Sequence, residues 1–258
     1  MSESARKLGN LLAATGQYFV RGRTTVAMID DGSGQPELRP LKAAELTSTF
    51  ESVARLIRRD TSRKGRPRDV PCICNEQSAK LILSSDEFVN ALPRIRVLTH
   101  CPVLVERGGQ LIEIVGYDPE AGILAAGRRV DHVPLDEAIA LIEDMLAEFQ
   151  FATPGDRSRA IAAVITPALV FGGLLGGRAP IDLGEANESQ AGKGFRNKLT
   201  AAVYGQSIKT VTQKRAGVGG LEESFSAALI RGANMISLDN LRGRIDSPTI
   251  ESFLTETS

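Results

Sequence analysis

The stretch from Ile181 to Tyr204 constrains this chain most. A short apolar run, Ile181 to Leu183, leads into a loop of small and polar residues ending in Gly192-Lys193-Gly194, and helical spacing follows from Phe195 to Tyr204. The run has the look of a short buried strand. In a strand–loop–lysine–helix arrangement, loop N–H groups converge on phosphate oxygens and the helix contributes the positive end of its dipole. Lys193 then supplies a point charge between the β- and γ-phosphates. The residues placed at such a nucleotide are Asn187, Glu188, Ser189, Gln190, Ala191, Gly192, Lys193, Gly194 and Phe195.

The pattern departs from G-x-x-x-x-G-K-[ST] at two positions. Asn187 stands where the first glycine belongs, and asparagine tolerates positive φ better than most residues. Gly194 stands where a serine or threonine would ligate Mg²⁺, so that hydroxyl is missing. By itself, Gly-Lys-Gly before a helix is most often only a loop.

A second element strengthens the case. Ala233 to Leu238 is a buried-strand pattern that ends in Asp239, downstream of the lysine. A carboxylate at the C-terminal end of a strand sits at the sheet edge where phosphates and Mg²⁺ bind. The plainer alternative is a strand that stops in a turn aspartate. Asn240 occupies the place where a glutamate base often stands, and an amide orients water without accepting its proton. Lys193, Asp239 and Asn240 are thus the catalytic candidates, with slow or partner-dependent hydrolysis expected.

Elsewhere the pattern alternates between helix and strand. Leu8, Leu11 and Leu12 are spaced for a helix, Tyr18 to Val20 and Thr24 to Ile29 for short strands, and Leu41 to Ile57 for another helix. Asp60 to Asp69 is a polar, arginine-rich stretch expected to form a solvated loop. Its functional alternative is contact with a nucleic-acid backbone through Arg63, Lys64, Arg66 and Arg68. A helix is expected over Ser78 to Val89. Val103 to Val115 predicts a hairpin turning at Gly108-Gly109, before the turn Tyr117 to Gly122. Leu135 to Phe149 predicts an amphipathic helix, and Ala160 to Leu175 a buried one. Beyond the loop, Ser207 to Thr212 predicts a strand, Lys214 to Gly220 a basic glycine loop, and Leu221 to Ile230 a helix. The domain boundary is expected between Phe149 and Arg157, giving a mixed α+β region over 1–150 and an α/β phosphate-loop domain over 151–258.

Composition narrows the partners. Basic and acidic residues number 31 each, so nucleic-acid binding has to come from a local patch rather than overall charge. Cys72, Cys74 and Cys101 lack the paired spacing of a zinc site, and free thiols suit a reducing, cytoplasmic setting. The N-terminus lacks the apolar core of a signal peptide. The longest apolar stretch, broken by Pro167, Gly172 and Gly173, is too short to span a bilayer.

AGKGFRNKLTAAVYG, the Leu221–Gly232 helix and NMISLDNLRGRIDSPTIESFLTE together resemble the ATPase part of primase–helicase-like proteins of phages and integrated mobile elements. RIRVLTHCPVLVERGGQLIEIVGYDPEAGILA and LIEDMLAEFQFATPGDRSRAIAAVITPAL resemble the region just before that ATPase. The resemblance covers Arg94 to the end. It implies a P-loop NTPase fold of AAA+-like, three-layer type, incomplete after the Asp239 strand, as in an N-terminal portion of a longer protein or a truncated product. It also implies ATP and Mg²⁺ as cofactors, hydrolysis coupled to DNA, and assembly into a homo-oligomeric ring. Under it Gly192 and Lys193 hold phosphates and Asp239 holds the metal. The rival expectation is a non-enzymatic module that binds DNA or a replication partner and carries a vestigial phosphate loop.

Overall fold

The chain folds as two units, Met1–Arg96 and Val97–Ser258. The computed structural model describes residues 2–30, 32, 36–61, 67–185, 192–212, 220–239, 241 and 246–255. The boundary expected between Phe149 and Arg157 falls inside the second unit. The physical reason is burial: Val103, Val105, Ile114 and Ile123 share a core with Phe171, Tyr204 and Met235, so the β-rich segment belongs with the C-terminal helices.

In the first unit, helix α1 (Ser2–Ala14) precedes an antiparallel meander of β1 (Tyr18–Arg21), β2 (Thr24–Asp30) and β3 (Pro36–Pro40). Helices α2 (Ala43–Val53), α3 (Glu76–Leu83) and α4 (Asp86–Val89) complete the core with Leu8, Leu12, Leu46, Phe50, Ala79 and Phe88. Phe50 and Phe88 are fully buried and meet edge to face at 6.0 Å. Each such burial contributes roughly 1.5–3 kcal/mol. The helix expected over Ser78 to Val89 is interrupted at Ser84-Ser85, and its first piece is capped by Asn75, whose side chain accepts the Ser78 N–H at 2.8 Å.

The helix expected to reach Ile57 stops at Val53, where Ala54 takes an extended conformation at φ −151. Ile57–Asp60 becomes β4, antiparallel to β5 (Arg68–Pro71), and the register runs from Ile57↔Pro71 to Asp60↔Arg68. Of the arginine-rich stretch Asp60 to Asp69 expected as a loop, Asp60 closes β4 and Arg68-Asp69 open β5, while residues 62–66 lie outside the described part. Ile57 fits both periodicities, and strand pairing decides between them.

The second unit opens with β6 (Val97–Thr99), the hairpin β7 (Val103–Arg107) and β8 (Gln110–Ile114), then β9 (Gly116–Asp118) and β10 (Ile123–Ala125). Gly108 and Gly109 have φ of 59 and 78, so the two-residue turn takes the positive-φ form that hairpin twist favours. β10 lies between β6, to which it is parallel, and β9, to which it is antiparallel. Asp118 secures the following turn by accepting the Ala121 N–H at 2.8 Å and pairing with Arg107 at 2.6 Å.

Helix α5 (Leu135–Met145) forms but buries none of its residues; Leu135 and Ile139 are exposed, and the buried anchor is Leu146 just beyond it. Helix α6 (Pro154–Phe171) starts in a reciprocal cap between Thr153 and Asp156 and has proline at its first position. The apolar run from Ala160 predicts a buried helix. Instead Ala160, Val164 and Phe171 are buried while Ile165 and Val170 are exposed, so it covers the hairpin with one face. After it come α7 (Lys193–Val203), β11 (Lys209–Thr212), α8 (Leu221–Arg231), β12 (Ile236–Asp239) and α9 (Pro248–Thr255). The chain is thus mixed α/β. Its described strands form two three-stranded and three two-stranded sheets.

Candidate functional site

Helix α7 begins where the phosphate-binding pattern places its lysine. Gly192 caps it at φ 82 and ψ 2, a left-handed conformation that glycine adopts without strain. The first intrahelical bond runs from the Arg196 N–H to the Gly192 carbonyl at 2.9 Å. The amides ahead of Arg196 have no intrahelical acceptor, as at any helix start. The first turn of α7 carries no acidic side chain, whereas α6 and α8 carry Asp156 and Glu222 with Glu223 there. The positive end of the α7 dipole is not offset by a carboxylate of its own first turn.

Segment 181–185 corrects one expectation. Ile181 to Leu183 is not a strand, and Leu183 is 80% exposed. The segment is instead held by an ion pair: Asp182 meets Arg196 at 2.6 Å, and the Arg196 side chain is only 12% exposed. The pair thereby ties segment 181–185 to α7. Three apolar residues between Pro180 and Gly184 are too short a run to distinguish a strand from an extended tether. Arg196 was missed because its role depends on a partner fourteen residues upstream.

The α7–β11–α8–β12 segment supplies the second half of the candidate site. β11 and β12 are parallel, with Lys209↔Ile236 at one end and Thr212↔Asp239 at the other. Asp239 is thus the last residue of its strand, at the carboxyl end of a parallel pair, and it is exposed. In open α/β sheets that is the edge where ligands bind. The other end of α7 is tied to the opposite strand ends. The Lys209 N–H donates to the Met235 carbonyl at 3.0 Å, and Asn234 Nδ2 donates to Gln206 Oε1 at 3.1 Å and to the Leu98 carbonyl. His100 Nδ1 lies 3.0 Å from the Gly205 carbonyl. The Tyr204 hydroxyl donates to the Val164 carbonyl at 2.5 Å, and burial pushes that phenol up to about 12. These anchors fix where α7 ends relative to β6, α6 and β12. Tyr204, Gln206 and Asn234 showed no sequence signal, since polar anchors of this kind depend on tertiary pairing.

The candidates divide accordingly. Lys193 opens α7, Gly194 and Phe195 follow in its first turn, and Asp239 closes β12. Asn187, Glu188, Ser189, Gln190, Ala191 and Asn240 lie outside the described residues, as do Arg63, Lys64 and Arg66. Arg68 is exposed on β5, and Arg58 and Arg59 are exposed on β4. The basic glycine loop expected over Lys214 to Gly220 lies outside the described part except for Gly220. Among the described residues no group of three or more His, Cys, Asp or Glu side chains could hold a metal ion. Burial pushes the Cys101 thiol up to about 11, which disfavours the nucleophilic thiolate. No described helix is long and apolar enough to cross a membrane. Comparison with protein-family models, with curated proteins and with solved structures gives no match.

Proposed function

We propose that the second unit binds ATP, with its phosphates on the loop from Asn187 to Phe195 and its Mg²⁺ at Asp239, as in primase–helicase-like ATPases of mobile elements. The observation that carries this reading is the order and polarity of α7, β11, α8 and β12. A helix opening at a left-handed glycine and a lysine is followed by a parallel strand pair with an aspartate at its carboxyl end. The short turn from Val203 to Lys209 and the Gln206–Asn234 contact set the far end of α7 beside the starts of both strands. That supports an α7 running back along the pair, with Lys193 on the side of Asp239.

In this reading the α7 amides and Lys193 hold the phosphates. Arg196 with Asp182 ties segment 181–185 to α7, and Asp239 orients the cation. Bound Mg²⁺ would neutralise phosphate charge. The chain offers no hydroxyl at position 194 and an amide at 240, so tight binding with slow turnover is expected, and turnover would be coupled to DNA in a homo-oligomeric ring. Titration of a fluorescent ATP analogue tests this: Lys193→Ala should weaken binding at least tenfold, and undiminished affinity would overturn the reading.

A second reading rests on the hairpin β4–β5, which presents Arg58, Arg59 and Arg68 together on one exposed ribbon. It makes the first unit a DNA-contacting module, whatever the second unit binds. Electrophoretic mobility of short DNA with neutralised Arg63, Lys64, Arg66 and Arg68 tests it, and unchanged affinity would count against it.

A further inference from the structure

Three phenylalanines form a stack at the head of α7. Phe149 pairs with both Phe151 and Phe195, with ring centroids 6.2 Å apart in each pair and interplanar angles of 29° and 25°. Phe149 is held in place by the tight turn after α5, where its N–H donates to the carbonyl of fully buried Leu146 at 3.2 Å. Its ring also reaches the loop: a Cβ on Gly192 would lie 3.6 Å from it. The outermost ring, Phe195, is 64% exposed although it is a large apolar group in the first turn of a largely polar helix.

Packing alone does not explain that exposure. A core aromatic buries both faces, whereas Phe195 is backed by Phe149 on one side and largely open to solvent. Helical side chains lean toward the N-terminus, so this ring is inclined toward the Gly192 end of α7. A ligand that places phosphates at Lys193 and a flat group at Phe195 would meet both, and the two backing rings make the platform rigid before binding. Every nucleobase has a π-face that stacks on aromatic rings, and a purine offers the larger one.

We propose that the open face of Phe195 seats the purine base of the nucleotide, with Phe149 and Phe151 as its backing. The proposal rests on the phosphate-binding reading above and goes beyond it by assigning the base a site. The base adds affinity that inorganic tripolyphosphate, which has the same phosphate chain, does not gain.

The test uses the full chain and exploits its lack of tryptophan. Phe195→Trp provides a single indole whose emission should be quenched by ATP and left unchanged by tripolyphosphate. In calorimetry, ATP should bind the parent about five- to a hundredfold more tightly than tripolyphosphate, the range of aromatic–base stacking. Phe195→Ala should remove most of that difference between the two ligands, and Phe195→Tyr should restore it. Equal affinity of the parent for the two ligands, or an equal loss of both in Phe195→Ala, would overturn the platform while leaving the phosphate site standing. Failure of both ligands to bind the parent would overturn the phosphate reading, and the base site with it.

Discussion

Gly172, which ends α6, packs its backbone against β7 so closely that a side chain there has no room. A Cβ would fall inside van der Waals contact with the Leu104 carbonyl oxygen and 3.0 Å from its carbon. Gly172 has φ −78 and ψ −9, which any residue adopts, so replacement carries no dihedral penalty and the whole cost is steric. Both contacting atoms are backbone, so α6 and β7 must separate, and that disturbs Phe171, a member of the same core. Overpacking of this kind costs about 1–3 kcal/mol or more. For a unit of this size, 3 kcal/mol lowers Tm by roughly 6–12 °C. Gly155, in the first turn of α6, is the matched control, because its nearest neighbour to an added Cβ is the Thr153 side chain at 3.6 Å. Gly155→Ala should be neutral or stabilising by up to about 1 kcal/mol. Differential scanning calorimetry of both variants reads the contrast. A Gly172→Ala protein that melts with the parent would refute the close approach of α6 to β7 and the core built on it.

Thr153→Ala removes the α6 cap and should destabilise by about 1 kcal/mol in chemical denaturation. The hydrogen bond from Thr153 and the ion pair with Arg159 hold the Asp156 carboxyl below its usual range. Its contribution is therefore present above the ordinary carboxylate pKa and is lost as pH falls through the lowered one, so Thr153→Ala should flatten the acid limb of a stability–pH curve. Cys101, with its thiol pushed up to about 11 by burial, should be alkylated far more slowly at pH 8 than exposed thiols, and peptide mapping that finds it modified first would contradict its burial. Neutralising Arg58, Arg59 and Arg68 should lower the salt dependence of DNA binding by about 0.9 in log–log slope for each DNA phosphate these side chains had neutralised, and an unaltered slope would remove the hairpin from any DNA role.

The structure has the expected helices and strands where their apolar spacing was long or their turn chemistry distinctive. Gly108-Gly109 marks the β7–β8 hairpin, and Leu46 with Phe50 forms the buried stripe of α2. Errors fell where short apolar runs fit two structures. Ile57 suited a helix until its strand partner Pro71 was known, and Ile181 to Leu183 proved to be an exposed tether. At the candidate site, the glycine–lysine start of α7 and the aspartate ending β12 could be read from residue order. The Asp182–Arg196 clamp, the Phe149 stack and the Asn234 anchor could not, because each joins residues distant in sequence. Helix α5 shows the limit of amphipathic pattern, since a spaced apolar face does not reveal whether anything covers it.

The proposed function requires the head of α7 and the end of β12 to address one triphosphate. Mn²⁺ in place of Mg²⁺, added with ATP, broadens the NMR signals of amides near the ion. Signals of Gly194 and of Leu238 should broaden together in the Mn²⁺–ATP complex, and neither should do so when Lys193→Ala abolishes binding. Broadening at one of the two positions without the other would contradict a shared pocket.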